Sequence, residues 1–131
     1  MRIPDKPELV AAIATILIAL VIITPLCGLL FACGCAWPWS GFVSACNYYQ
    51  PDTEHQCPWC KSDVAGWFSV GAAMTGGLWA ALFSRFNSEH PEVTECLIRI
   101  SLGLLIFAAL AVLTAWLALK TQGYPLGPLA Q

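Results

Sequence analysis

The chain has 131 residues, 58% of them hydrophobic and only 11% charged, with a formal net charge of −2. Soluble domains carry about a quarter charged residues, so this composition excludes an ordinary soluble protein and places the chain in the membrane class. The slight negative charge offers no basic field for nucleic acid, and the length suits one small membrane domain, residues 1–131, with no second domain.

Residues 1–8 form a short polar lead, in which Pro4 and Pro7 are expected to delay regular helix. Residues 9–31 then run without a charge and meet the requirement of roughly 20 apolar residues for a bilayer span. The stretch is too long for the apolar core of a cleaved signal peptide, and it runs into Pro25, Leu26 and Cys27. A lipidated Cys27 is disfavoured because Thr24-Pro25-Leu26 lacks the expected small neighbour. Pro25 removes a backbone donor and can kink the helix. Gly28 leaves room for another helix to approach, and Cys27 reads as a small buried hydrophobe.

The loop 32–63 carries five of the seven cysteines. Its first part, CGCAWPWSGF over residues 33–42, is aromatic and uncharged. Trp37 and Trp39 suit the headgroup region, and Cys33 and Cys35 read there as structural. Its second part is polar. It gathers Cys46, His55, Cys57 and Cys60, with a turn signal at Pro51-Asp52.

Residues 64–83 form a second uncharged span, rich in small residues. Ala72 with Gly76, and Ala73 with Gly77, are pairs spaced for close helix approach, and Ala111 with Ala115 repeats the spacing in the third span, residues 100–119. These faces are expected to hold the bundle together, with docking on another subunit as the alternative. The loop between these spans offers His90, Glu92, Glu95 and Cys96, read as solvated charge near a helix start and a free thiol. The fold expected is thus an all-α integral membrane protein of three transmembrane helices, because lipid leaves unpaired backbone groups no partner.

Lys and Arg near the span ends set orientation. Arg2, Lys6, Arg85 and Arg99 lie on one side, against Lys61 and Lys120 on the other. The expectation is a cytoplasmic N-terminus in a bacterial inner membrane, with the loop 32–63 and the C-terminus extracytoplasmic. Disulfides persist in that compartment; in a reducing one, metal ligation gains ground.

Cys57-Pro58-Trp59-Cys60 admits three chemistries. In thiol exchange, the candidate catalytic pair is Cys57 as nucleophile and Cys60 as resolving thiol. Pro58 would open a helix that Cys57 caps, and the dipole would lower the Cys57 pKa. Against this, the chain lacks the βαβ pattern that makes the motif specific. In metal binding, Cys46, His55, Cys57 and Cys60 supply ligands soft enough for zinc or copper. In the third, structural disulfides staple the loop. A c-type haem is disfavoured because Lys61 stands where attachment needs histidine. No span carries the internal charge that ion pathways use.

The function expected from this is a small accessory or assembly subunit of a larger membrane complex, such as a redox complex, with the loop held by disulfides or a metal. The alternatives are a membrane thiol–disulfide oxidoreductase and a zinc- or copper-handling membrane protein. Expected partners are the lipid bilayer and other membrane-protein subunits.

Overall fold

A computed structural model describes residues 5–35, 46–50, 52, 56–84 and 91–123. All regular structure among them is helical: α1 (Lys6–Phe31), a 3-10 turn (Asn47–Tyr49), α2 (Pro58–Lys61), α3 (Asp63–Phe83) and α4 (Glu92–Gln122). Helices α1, α3 and α4 are each long and apolar enough to cross a membrane.

Two helices start earlier than hydropathy suggests, because polar residues build their first turns. Helix α1 begins at Lys6, with the Asp5 N–H donating to Glu8 Oε2 at 3.0 Å. Pro7 sits in its first turn, where its missing N–H is not needed, so it does not delay the helix. Helix α4 begins at Glu92 behind Pro91, eight residues before the apolar stretch, with Glu92 and Glu95 in the first turn, where the helix dipole favours acidic groups. Helix α1 also continues through Pro25, which lacks only the N–H that would reach the Val21 carbonyl.

The small-residue faces meet inside the bundle. Ser69, Ala73, Gly77 and Ala81 form the buried stripe of α3, and Gly103, Phe107, Ala111 and Ala115 lie on the buried face of α4. A Cβ on Gly77 would stand 2.8 Å from the Gly103 carbonyl oxygen, and one on Gly103 would stand 2.9 Å from Thr15 Cγ2 of α1. Helices α3 and α4 therefore cross at backbone distance, which only small side chains permit, and α1 packs onto the same point through Thr15. Gly76 packs against Leu110 and Ile106 of α4, whereas nothing lies within 4 Å of a Cβ on Gly71. Large apolar side chains such as Leu17, Leu29, Trp67, Phe68 and Leu105 cover the outer surface.

One end of the bundle is closed by charge. Arg99 of α4 is buried, and its NH2 stands 3.2 Å from Glu8 Oε1 of α1 and 2.8 Å from Glu95 Oε1. Its Nε also donates to Glu95, at 2.9 Å, while NH1 donates to the Ala81 and Leu82 carbonyls at the end of α3, at 3.2 and 3.4 Å. Hydropathy windows place Glu8 and Arg99 just outside the spans. The fold instead buries both and joins all three helices through one guanidinium.

Candidate metal centre

The opposite end of the bundle gathers cysteines from four stretches of chain. Cys27 lies in the last turns of α1. Beyond Phe31 the chain reverses through Ala32, at φ 49°, and Gly34, at φ 79°. The left-handed region is cheap for glycine and unusual for alanine. The reversal folds Cys33 back onto the helix end: its Sγ lies 3.7 Å from Cys27 Sγ, and its thiol donates to the Cys27 carbonyl at 3.5 Å. Cys35 follows, its carbonyl resting on Gly28 where any side chain would collide with it. Gly28 thus makes room for the loop, not for a neighbouring helix.

Cys46 enters on a separate strand of chain anchored by Asn47. The Asn47 N–H donates to the Cys33 carbonyl at 2.8 Å, and Asn47 Oδ1 accepts from the Cys57 N–H at 2.9 Å. One side chain and its own backbone therefore tie three cysteine segments together. Cys57 caps α2, a single turn opened by Pro58, and Cys60 and Lys61 both donate their N–H groups to the Cys57 carbonyl. The Trp59 carbonyl rests on Gly66 of α3, the Trp59 ring meets Phe31 edge-on at 5.2 Å, and Gln122 of α4 donates to the Pro58 carbonyl at 3.1 Å.

The six thiols converge. Cys27 Sγ and Cys57 Sγ are 3.5 Å apart, and Cys46 Sγ and Cys60 Sγ are 3.7 Å apart. Three groups have all their sulfurs within 4.8 Å of one another: Cys27, Cys33 and Cys57; Cys33, Cys35 and Cys46; Cys46, Cys57 and Cys60. Cys27, Cys35 and Cys60 line one cavity together. These contacts describe an octahedron of sulfur. Cys27 stands across from Cys46, Cys33 from Cys60 and Cys35 from Cys57. Cys33, Cys46 and Cys57 are shut away from solvent, while Cys35 and Cys60 are partly exposed. A disulfide needs about 2.05 Å between sulfurs, and all seven cysteines are free.

Acidity follows from the thiol contacts. The Cys57 thiol is lowered by hydrogen bonding from Cys27 and then Cys33; the Cys60 thiol is lowered by Cys27, Cys35 and Cys57. Cys46 is pushed up to about 12, first by burial. The neighbouring Cys27 and Cys33 thiols are thus what lower Cys57.

Of the ligand set Cys46, His55, Cys57 and Cys60, the fold brings the three cysteines into one triad, and His55 lies outside the described residues. The division of the loop into two separate cysteine groups does not hold. Cys33 and Cys35 join the polar group, and Cys27, buried in the core as expected, is also a member of the cage. Cys96 is apart, in the first turns of α4. The overlooked contributors are Cys27, Asn47, Gly28 and Gly66. The available signal was positional: Cys27 and Gly28 lie in the last two turns of a helix that ends at the cysteine-rich loop. No protein-family model, curated protein or solved structure matches the chain at a significant level. The described cysteine clusters can hold a metal ion.

Proposed function

We propose that this chain is a membrane protein that handles a soft, thiophilic metal, of the zinc or copper(I) class, in a six-cysteine centre at one membrane face. The convergence of six thiols from four chain segments, with nearest sulfurs at 3.5 to 3.7 Å and none bonded, carries this reading. Structural disulfides would need only pairs, whereas a shared cage of thiols suits soft metals. Metal binding also deprotonates the thiols and releases protons, so loading couples the loop's folding to the metal.

On the charge rule, the N-terminus is cytoplasmic and the centre faces the extracytoplasmic side of a bacterial inner membrane. The centre suits a small accessory or assembly subunit that keeps metal for a larger membrane complex. Co-purification under mild detergent tests that role, and a chain that always purifies alone contradicts it. The main test is elemental analysis of protein purified under reducing, anaerobic conditions. Zinc or copper bound to the wild type and lost in Cys57→Ser supports the proposal. Protein that takes up neither metal on reconstitution contradicts it.

One observation favours a second reading, thiol–disulfide exchange. Cys60 is partly exposed, its thiol is depressed, and it lines a cavity of about 350 Å³ beside Cys27 and Cys35. Because Cys57 is fully buried, the roles expected from the sequence reverse in that reading: Cys60 attacks a substrate disulfide and Cys57 resolves, so Cys57→Ser traps a mixed disulfide on Cys60.

A further inference from the structure

We infer that the cage is built for four copper(I) ions, as a [Cu4(S-Cys)6] cluster in which every thiolate bridges two metals; this rests on the metal-handling reading above. The close triads carry the argument. Cys33 is common to the first and second triads, Cys46 to the second and third, and Cys57 to the first and third. Three triangles that meet only at corners are three alternate faces of an octahedron. The remaining alternate face is Cys27, Cys35 and Cys60, which line one cavity together. A metal on each of these faces has three sulfur ligands, and each sulfur then serves two metals.

Geometry separates the candidate metals. A structural zinc site takes four ligands at the corners of a tetrahedron, so four sulfurs must all be mutual neighbours. In an octahedron any four corners include a pair standing across from each other, so a tetrahedral site would require pulling a buried thiol through the cage. Copper(I), a soft d10 ion, accepts three thiolates in a plane. At a metal–sulfur bond of about 2.3 Å such sulfurs stand about 4.0 Å apart, within the 4.8 Å that bounds each triad. An iron–sulfur cube must fit inorganic sulfide between its irons, and thiols already in contact leave no space for it.

Charge agrees. Loading is six Cys–SH plus four Cu+ giving [Cu4(S-Cys)6]2− plus six H+, so four monovalent ions cancel most of the charge of six thiolates that burial would otherwise oppose. The cage also has an opening. The face formed by Cys27, Cys35 and Cys60 lines the cavity of about 350 Å³, whose walls include Ile23, Thr24 and Trp67, while Cys33, Cys46 and Cys57 lie behind it.

The test uses the full-length chain, reduced and anaerobic in detergent, titrated with tetrakis(acetonitrile)copper(I) against a copper(I) chelator. Native mass spectrometry is expected to reach a plateau at about four coppers per chain, one for each alternate face. Orange-red emission of a polynuclear copper(I) thiolate is expected with it, and X-ray absorption should give three sulfurs per copper with a short copper–copper vector. Cys96→Ser keeps the plateau, and Cys46→Ser, which removes a bridging ligand, lowers it. A plateau at about one or two coppers without copper–copper scattering overturns the inference, and wild-type absorption data decide this even if Cys46→Ser fails to fold. If zinc protects the cage thiols from alkylation while copper stops short of four, only the cluster fails. If neither metal protects them, the metal-handling reading falls too.

Discussion

The two ends of this bundle bury polar chemistry in opposite ways. At the Arg99 end, every nitrogen of the guanidinium meets a carboxylate or carbonyl already present in the chain. At the cysteine end, six thiols have mainly one another, and Trp59 Nε1 beside them is buried with no hydrogen-bond partner among the described residues. The first end is complete as folded. The second is ordered by Asn47, Gly28 and Gly66, yet none of its sulfurs is joined in a disulfide. One end therefore reads as a structural clamp and the other as a site for an external ligand.

That contrast breaks first at the clamp. Arg99→Ala leaves Glu8 buried beside an empty position and should cost about 3–5 kcal/mol, the usual penalty for halving a buried ion pair. Thermal unfolding in detergent measures it, and the surviving folded fraction should load metal as the wild type does. A change in metal uptake without a loss of stability would show that the ends are not separable.

Gly28→Val should act in reverse. Its side chain would meet the Cys35 backbone carbonyl, which can yield only by moving the loop, an overpacking cost of about 1–3 kcal/mol. Metal uptake should collapse while far-ultraviolet circular dichroism stays helical. Gly77→Ala probes the crossing between the ends. Its Cβ meets the Gly103 carbonyl and Phe107, so stability should again fall by about 1–3 kcal/mol. Gly71→Ala is the matched control. With open space around it, the change should gain up to about 1 kcal/mol from helix propensity alone.

The smallest effect is a pH profile. An ordinary thiol, of pKa about 8.5, loses reactivity roughly tenfold per unit below that value. Cys60, held lower by Cys27, Cys35 and Cys57, keeps a larger thiolate fraction than an ordinary thiol as pH falls below about 8.5. Its alkylation rate in the metal-free protein should then fall less than tenfold per unit, while Cys46, at about 12 and fully buried, stays unreactive. The sign for stability follows. A depressed pKa adds stability that is complete above the unfolded-chain value and shrinks as pH falls toward the folded one. A Cys60 rate that drops tenfold per unit contradicts the shift.

Much of the scaffold was legible in the sequence because lipid permits so few alternatives. Residues 9–31, 64–83 and 100–119 mark the apolar parts of α1, α3 and α4, and the turn opened by Pro58 behind Cys57 follows from local chemistry. Helix starts were less legible, since Lys6 and Glu92 are ordered by caps and ion pairs that hydropathy does not weigh. The cage was legible only in part. Cys46, Cys57 and Cys60 stand out by spacing, but Cys27 counts as one more apolar residue in a span. Its partnership with Cys33 depends on Ala32 adopting a positive φ, which no propensity favours. Asn47 gave no signal because its role depends on Cys33 and Cys57 already being in place.

The central claim is that six cysteines act as one metal centre, and cysteine-resolved alkylation of the reduced, native protein tests it most directly. Loaded with copper(I) or zinc, the chain should leave only Cys96 open to reagent, with all seven cysteines labelled after denaturation with chelator. If Cys35 and Cys60, the partly exposed members, label as fast with metal as without it, the six cysteines are not a metal centre.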